Sequence, residues 1–417
     1  SSAASDVYKR QGQQAVELAR AVDYRSAGTV EFIVGADQDF YFLEMNTRLQ
    51  VEHPVTELVY GLDLVEKMIR VAAGEQLGLT QDDITPNGWA IEARVYAEDP
   101  ARGFLPSIGQ LTRYREPVGE GVRVDAGVAE GGEISMYYDP MIAKLVTHAP
   151  SRDEAIDRLH LALDHYEIDG IASNRQFLSA VLENSAFKAG NLTTGFIAAE
   201  FDGDFVAEAP ADAAATDLVA LGTAIAALQI EERNPGSPDR TFIVIDQTGR
   251  QYDVEVEAVT NREAMVVVDG RHHALSGRLR RPVGLFDGTI HEDPVAVQGR
   301  GTGHDLALTR GSHRLAAKIL PARFGPMLSL MPPAAEGAGA DEIVAPMPGQ
   351  ITRILVKVGD EVQAGQDVAI IEAMKMENIL TSEARGTVTS IEVGIGDNLN
   401  VDDLILSLDL ADDQSAS

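Results

Sequence analysis

Cysteine is absent from this chain of 417 residues. That excludes disulfides, zinc–thiolate centres and thiol nucleophiles, and it is compatible with a reducing compartment. Cations are scarce as well: 34 Lys and Arg stand against 65 Asp and Glu, a formal net charge of −31. A surface that tracks phosphates needs clustered Lys and Arg, so the composition argues against nucleic acid and anionic membranes as partners. No apolar run approaches membrane-spanning length, and no basic region followed by an apolar core marks a secretory signal. Apolar material is ample. A hydrophobic content of 45% supports full-sized cores in two or three domains.

The most informative stretch lies near the far end. Residues 349–360 read GQITRILVKVGD and residues 386–397 read GTVTSIEVGIGD, with Gly, Thr, Ile, Val and the closing Gly-Asp coinciding at a constant offset. Ile354, Val356 and Val358 in the first are matched by Ile391, Val393 and Ile395 in the second. Such alternation predicts strands with one face buried, and a duplicated unit buries a core that neither copy could bury alone. Between the copies falls Ala373-Met374-Lys375-Met376, which puts one lysine, Lys375, on an exposed hairpin. A lone lysine in a turn is ordinarily only that. Two symmetric half-motifs centred on it read instead as an address for an enzyme that must find one lysine among many. The stretch resembles the biotin carboxyl carrier family, whereas the related lipoyl domains carry Asp-Lys-Ala at this place. The resemblance implies a pseudo-twofold β-sandwich with biotin attached to Lys375 by a biotin protein ligase.

Near the start, residues 1–11 are small and polar and are set aside as a leader unrelated to the rest of the chain. Val16, Ala19 and Val22 then predict a short helix. Residues 28–34 alternate, turn at 35–39 and return at 40–46, a β-hairpin. A turn centred on Asp37-Gln38 brings Glu31 opposite Glu44, and like charges facing across a ladder are destabilising. Either a hard divalent cation such as Mg2+ offsets them, or the register differs by one residue and they point to opposite faces. The next run, Asn46-Thr47-Arg48-Leu49-Gln50-Val51-Glu52-His53-Pro54, favours the cation, because so dense a polar set is rarely needed by a structural loop. Extended, it places Arg48, Gln50 and Glu52 on one side: a cation, an amide and a base converging on a small anion. His53, just before Pro54, reads as structural.

This run resembles the signature of biotin carboxylase, an ATP-grasp enzyme. Residues 90–94 (AIEAR), 97–100 (AEDP), 104–107 (FLPS), 137–145 (YYDPMIAKL), 168–170 (IDG) and Asn174 continue the resemblance. It implies that Glu31, Glu44 and Asn46 bind the Mg2+ (or Mn2+) ions that bridge the phosphates of ATP. It further implies that Arg48, Gln50 and the Val51 backbone hold bicarbonate, that Glu52 is the base, and that Arg94 stabilises the enolate form of biotin. Arg48, Glu52 and Arg94 are thus the catalytic set. The family's glycine-rich lid and ATP-holding lysines have no counterpart here, so this fragment alone is expected to be inactive.

Residues 201–216 are acidic and rich in Ala and Pro, a boundary. Asp217 then caps a helix through Leu228 and Ile230 whose apolar side is broad enough to be wrapped by something. Residues 241–330 alternate in short strands, with turns expected at 247–249, 269–270 and 287–288, which predicts an antiparallel barrel. The helix and barrel are similar to the domain by which acyl-CoA carboxylase α subunits dock their carboxyltransferase subunit. His272-His273 lacks an apparent third ligand and reads as barrel edge.

The expected fold class is therefore α+β and multidomain. Residues 12–205 form the C-terminal part of a biotin carboxylase domain, 206–331 the helix-plus-barrel docking domain, 332–340 a linker, 341–410 the biotinyl carrier and 411–417 a disordered tail. The function the resemblance implies is the biotin-bearing α subunit of an acyl-CoA carboxylase, most like propionyl-CoA carboxylase, in a hetero-oligomer with a carboxyltransferase β subunit. The methylcrotonyl- and acetyl-CoA enzymes, and an inert remnant acting only as carrier and docking module, are the alternatives. A keto-acid carboxylase would need a TIM-barrel domain for which no stretch is long enough. Cytoplasm, in a bacterium, or the mitochondrial matrix is the expected compartment.

Overall fold

The computed structural model describes the chain except residues 1, 36, 38, 202–204, 236–238, 280–283, 303, 329–340, 364, 374–375, 383 and 411–417, and describes only the backbone of 2–6, 302 and 376. The expected linker and tail lie outside the described residues. Two compact units result: Ser1–Ala93 with Glu120–Arg123 and Val146–Leu159, and Arg94–Gly119 with Val124–Leu145 and His160–Ser417.

In the first unit, helix α1 spans Ser2–Ala21. It is longer than the short helix expected and runs straight through the stretch set aside as a leader, while Val22 lies beyond its end, exposed. Ala, Lys, Arg and Gln favour helix, and Gly12 faces open space, so nothing interrupts it. Strands β1 (Thr29–Val34) and β2 (Phe40–Asn46) pair antiparallel. Ile33, Val34, Tyr41, Phe42 and Leu43 are all exposed on this hairpin. Helix α2 (His53–Tyr60) ends at Gly61 in the left-handed region. Its buried Glu57 is satisfied by the Arg123 guanidinium at 2.7 Å and by the amide of Leu64.

The second unit is built on a helix that is apolar all round. Helix α3 (Asp212–Arg233) buries residues on every side from Ala215 to Leu228. By length and apolarity it could cross a membrane, contrary to the reading that no such run exists, but here protein covers it. It also begins earlier than Asp217, with Ala211 as its N-cap. Eight strands close around it: β4 (Thr241–Asp246), β5 (Gln251–Val259), β6 (Glu263–Val268), β7 (Arg271–Gly277), β8 (Gly284–Ile290), β9 (Asp293–Thr302), β10 (Asp305–Arg310) and β11 (His313–Pro321). Phe242, Val244, Tyr252, Val254, Val266 and Leu315 point inward onto the helix residues in one core. The expected turns at 247–249 and 269–270 are present, with Gly249 and Gly270 at positive φ. The turn expected at 287–288 is not: Asp287 and Gly288 lie inside β8, paired with Ala296 and Val295. A Cβ on Gly288 would sit 2.1 Å from the carbonyl oxygen of Ser276, so this glycine serves a close backbone approach. The chain reverses instead at His291 and Glu292, both non-glycine residues at positive φ.

A polar seam joins the preceding segment to the barrel. The Gln298 amide donates to the carbonyls of Asp164 and Tyr166 at 3.0 and 2.7 Å, and Arg300 donates to that of Ile168 at 2.8 Å. His160 lies 2.6 Å from Glu183, which also accepts from the hydroxyl and amide of Ser312. Burial pushes the Glu183 carboxyl up, but the hydrogen bonds from His160 and Ser312 outweigh it and hold the group at about 2.

The last part of the chain is a sandwich of two four-stranded sheets. Its strands are β12 (Glu342–Val344), β13 (Gly349–Ile354), β14 (Glu361–Val362), β15 (Asp367–Ala373), β16 (Met376–Thr381), β17 (Gly386–Ile391), β18 (Asn398–Leu399) and β19 (Leu404–Leu410). One sheet has the order β12-β19-β17-β14 and the other β16-β15-β13-β18. Exchanging the two repeats converts one order into the other. The correspondence reaches single atoms. Asp360 accepts from the Lys357 amide at 2.9 Å and Asp397 from that of Gly394 at 2.8 Å, and Gly359 and Gly396 share φ values of 94° and 96°. The strands are shorter than the alternation implied. They stop at Ile354 and Ile391, and Val358 and Ile395 are exposed, because the turns begun by these Asp side chains lift the chain away from the core.

Seam and sandwich each yield an expected outcome. A carboxyl held below its unfolded value near 4.5 stabilises above that value and loses the contribution as pH falls towards 2. Acid unfolding of the seam, monitored by exchange of the Ser312 amide, should therefore steepen between those limits in the parent chain and flatten in Glu183→Gln. In the sandwich, the Val388 amide donates to the Asp360 carbonyl and the Ile351 amide to that of Asp397. Removing one Asp side-chain bond, worth about 1 kcal/mol, should speed exchange at Val388 in Asp360→Ala and at Ile351 in Asp397→Ala by a similar factor of about five. Unequal factors would mean that the two turns are not equivalent.

Candidate functional site

Glu31 and Glu44 are direct cross-strand partners, as expected, but they meet through a register shift between Glu31 and Phe32: the pairs nearer the turn, Phe32 with Phe42, Ile33 with Tyr41 and Val34 with Phe40, would by themselves set Glu31 opposite Leu43. Asn46 follows Glu44 by two positions, so period-2 alternation returns it to the same face. Its amide donates to both carboxylates, at 2.8 Å to Glu31 and 3.1 Å to Glu44. This shared donor offsets part of the repulsion between the glutamates. The three side chains bring together two carboxylates and an amide with little else, a donor set that suits a hard, oxygen-seeking divalent ion.

Just beyond, the Arg48 guanidinium donates to the Gln50 side-chain carbonyl at 2.6 Å and to the carbonyl of Leu49 at 3.4 Å. Arg48 is exposed and Gln50 half-buried. The two are thus brought together as expected, but the extended course does not reach Glu52. Residues 51–52 turn, and Glu52 occupies the N-cap of α2 with φ −80° and ψ 9°. A helix begins directly after, with Pro54 fixing its first turn. The His53 ring contacts the Gln50 carbonyl at 2.7 Å, a local structural bond that ties the loop to the helix start.

Arg94 lies in strand β3 (Trp89–Tyr96) and is counted with the second compact unit. Its carbonyl accepts from the Asn174 amide at 3.2 Å, while Asn174 accepts from the Tyr96 amide at 2.9 Å. Asn174 thereby fixes the backbone on both sides of Val95. Glu98, which the sequence reading passed over as a functional group, has its carboxyl raised by burial and then by the charge of Asp139. Met374 and Lys375 lie outside the described residues; the flanking Ala373 and Met376 pair across β15 and β16.

Comparison with known proteins gives three family matches. Residues 2–80 match the carbamoyl-phosphate synthase L chain ATP-binding domain, 92–199 the biotin carboxylase C-terminal domain, and 341–408 the biotin-requiring enzyme domain. The propionyl-CoA carboxylase alpha chain of Ruegeria pomeroyi is 44% identical over 95% of this chain and 63% of its own length. The mitochondrial human propionyl-CoA carboxylase alpha chain is 38% identical over 97% of this chain and 58% of its own. A methylcrotonoyl-CoA carboxylase alpha subunit of Dictyostelium discoideum is 35% identical over 94% and 59%. The chain thus spans roughly three-fifths of these relatives. A solved biotin carboxylase domain of Hydrogenobacter thermophilus 2-oxoglutarate carboxylase is 46% identical over 46% of this chain and 42% of that one, with a TM-score of 0.45. The chain thus carries biotin carboxylase C-terminal and biotin-requiring enzyme domains and is similar, over nearly all its length, to part of propionyl-CoA carboxylase alpha chains.

Proposed function

We propose that the chain is the biotin-bearing part of an acyl-CoA carboxylase α subunit, of the propionyl-CoA kind. The observation that carries this reading is the order of its parts: carboxylase residues, then a closed barrel around one helix, then a two-sheet sandwich in which Ala373 and Met376 close a strand pair around Met374-Lys375. A keto-acid carboxylase would place a TIM-barrel where this antiparallel barrel stands. The substrate class rests on the named relatives, and a separate carboxyltransferase subunit supplies the acyl-CoA site.

Glu31, Glu44 and Asn46 would hold Mg2+, which when bound neutralises phosphate charge on ATP. Arg48 would pair with bicarbonate, with the Gln50 amide and the Val51 backbone completing its cradle. Glu52 would take the proton from bicarbonate. Arg94 would face the developing negative oxygen of the biotin ring, where a preorganised cation is worth several kcal/mol. Biotin on Lys375, when attached, supplies the ring nitrogen that accepts and returns the carboxyl group. The lysine is the substrate of a biotin protein ligase, and amide formation removes its charge and leaves a long tether. The exposed apolar side of the β1–β2 hairpin would be covered by the remaining part of the ATP-grasp fold that the longer relatives carry.

Biotin ligase should label this chain once, detected by avidin blotting, and Lys375→Arg should abolish the label. Label retained in that variant would refute the assignment. In a full-length protein containing this chain, Arg48→Ala should raise the KM for bicarbonate and lower kcat/KM by at least about a hundredfold, the loss of one charge-assisted contact of about 3 kcal/mol. An unchanged bicarbonate dependence would remove Arg48 from the site.

A further inference from the structure

Asp217, on the second turn of α3, His273 on β7 and His291 in the β8–β9 turn come together although far apart in sequence. The Nδ1 atom of His273 lies 2.9 Å from the Asp217 carboxylate and 3.2 Å from Nε2 of His291, which is 3.4 Å from the same Asp217 oxygen. His272, the other half of the His-His pair, points away and sits 3.6 Å from Glu257 on the outside. The expectation that His273 belongs to the barrel edge therefore fails: it is 3% exposed, and the missing third ligand is supplied by the helix and the next turn.

The proton count makes this cluster unusual. His273 Nδ1 can carry one hydrogen at most, yet it faces both a carboxylate and a second imidazole nitrogen. Its other ring nitrogen, Nε2, is buried with no hydrogen-bond partner, so burial of the ring is compensated only through Nδ1. If both imidazoles donate to Asp217, two N–H groups crowd each other; if one accepts, a lone pair is shared. Three lone pairs aimed at one centre have no such conflict when a cation occupies it. A tetrahedral ion with bonds of about 2.0–2.1 Å has ligand atoms about 3.3 Å apart, which is the spacing found. Two imidazoles and one carboxylate suit a borderline transition metal over Mg2+. The half-exposed His291 leaves a solvent-facing approach and room for a fourth ligand. His291 also holds a φ of 53° with its amide bonded to the Ala274 carbonyl, so its ring is delivered by a turn that ordinarily favours Asn or Gly.

We infer that Asp217, His273 and His291 form a binding site for a divalent transition metal, Zn2+ in type, that clips the start of the core helix to the barrel wall. The site is separate from the oxygen-donor set of Glu31, Glu44 and Asn46.

Co2+ titrated into the full chain, with excess Mg2+ present to occupy carboxylate sites, should give the intense visible bands of tetrahedral coordination at one equivalent, displaced by Zn2+. His291→Asn keeps a residue suited to the left-handed turn, and Asp217→Asn keeps shape while removing charge. Each should weaken Co2+ binding by more than about a hundredfold, beyond the roughly ten- to hundredfold that loss of a supporting partner causes. Zn2+ should raise the Tm of the parent chain and not that of either variant. Absence of tetrahedral bands in the parent chain, or equal binding by His291→Asn, would overturn the inference. The exposed position of His291 keeps the test valid even where a change at buried His273 prevents folding.

Discussion

A helix with apolar side chains on every face cannot rest on a surface; it must be surrounded. That requirement shapes the middle of this protein. Leu218, Val219, Ala220 and Leu221 follow one another about 100° apart around α3, and all four are buried in the core shared with the strand wall. Eight antiparallel strands closed on themselves are the arrangement that covers such a helix without leaving an open sheet edge. Gly222 lets the wall come near, since a Cβ there would meet Ile319, Leu306 and Leu308 at 3.2–3.4 Å. The barrel's outer side is then free for other duties, and Gln298, Arg300, Gly311 and Ser312 use it to grip the carboxylase-derived segment through carbonyls and carboxylates.

The same economy of polar groups appears at the hairpin. Two glutamates forced opposite each other by register are tolerable because Asn46 donates to both. An amide that bridges two carboxylates also keeps them near one another. Glu44 and Asn46 therefore share a face through strand alternation, whereas Arg48 and Gln50 lie in the loop beyond β2 and Glu52 gains its place from a helix start.

Much of this was legible in the sequence, and the reasons are physical. Repeated Gly, Asp and aliphatic positions at one offset encode two matching turns and two matching strands, so the twofold sandwich is legible, although the exposure of Val358 and Ile395 beyond the strand ends is not. The pairing of Glu31 with Glu44 is legible in the hairpin, but the structure reaches it through an irregularity between Glu31 and Phe32 that no residue type announces. What escaped depended on contacts between distant segments. Asp287-Gly288 resembles a turn, and only the proximity of Ser276 reveals that its glycine is there for lack of a side chain. His291-Glu292 carries the real reversal without Gly or Asn to announce it. Asp217, His273 and His291 belong to three elements, and no spacing rule links them; neither does one link His160 and Glu183 to Ser312.

The repeat that builds the sandwich has a mechanical corollary. Its first strand lies beside its last, with Glu342 opposite Ser407, so the polypeptide joins and leaves the module at one corner. The repeat carries Leu410, the last residue of β19, onto Ala373, the last residue of β15. The entry corner and the end of the β15–β16 pair are thus exchanged by the internal symmetry. On the proposed attachment at Lys375, fulcrum and working end would be copies of one piece of architecture.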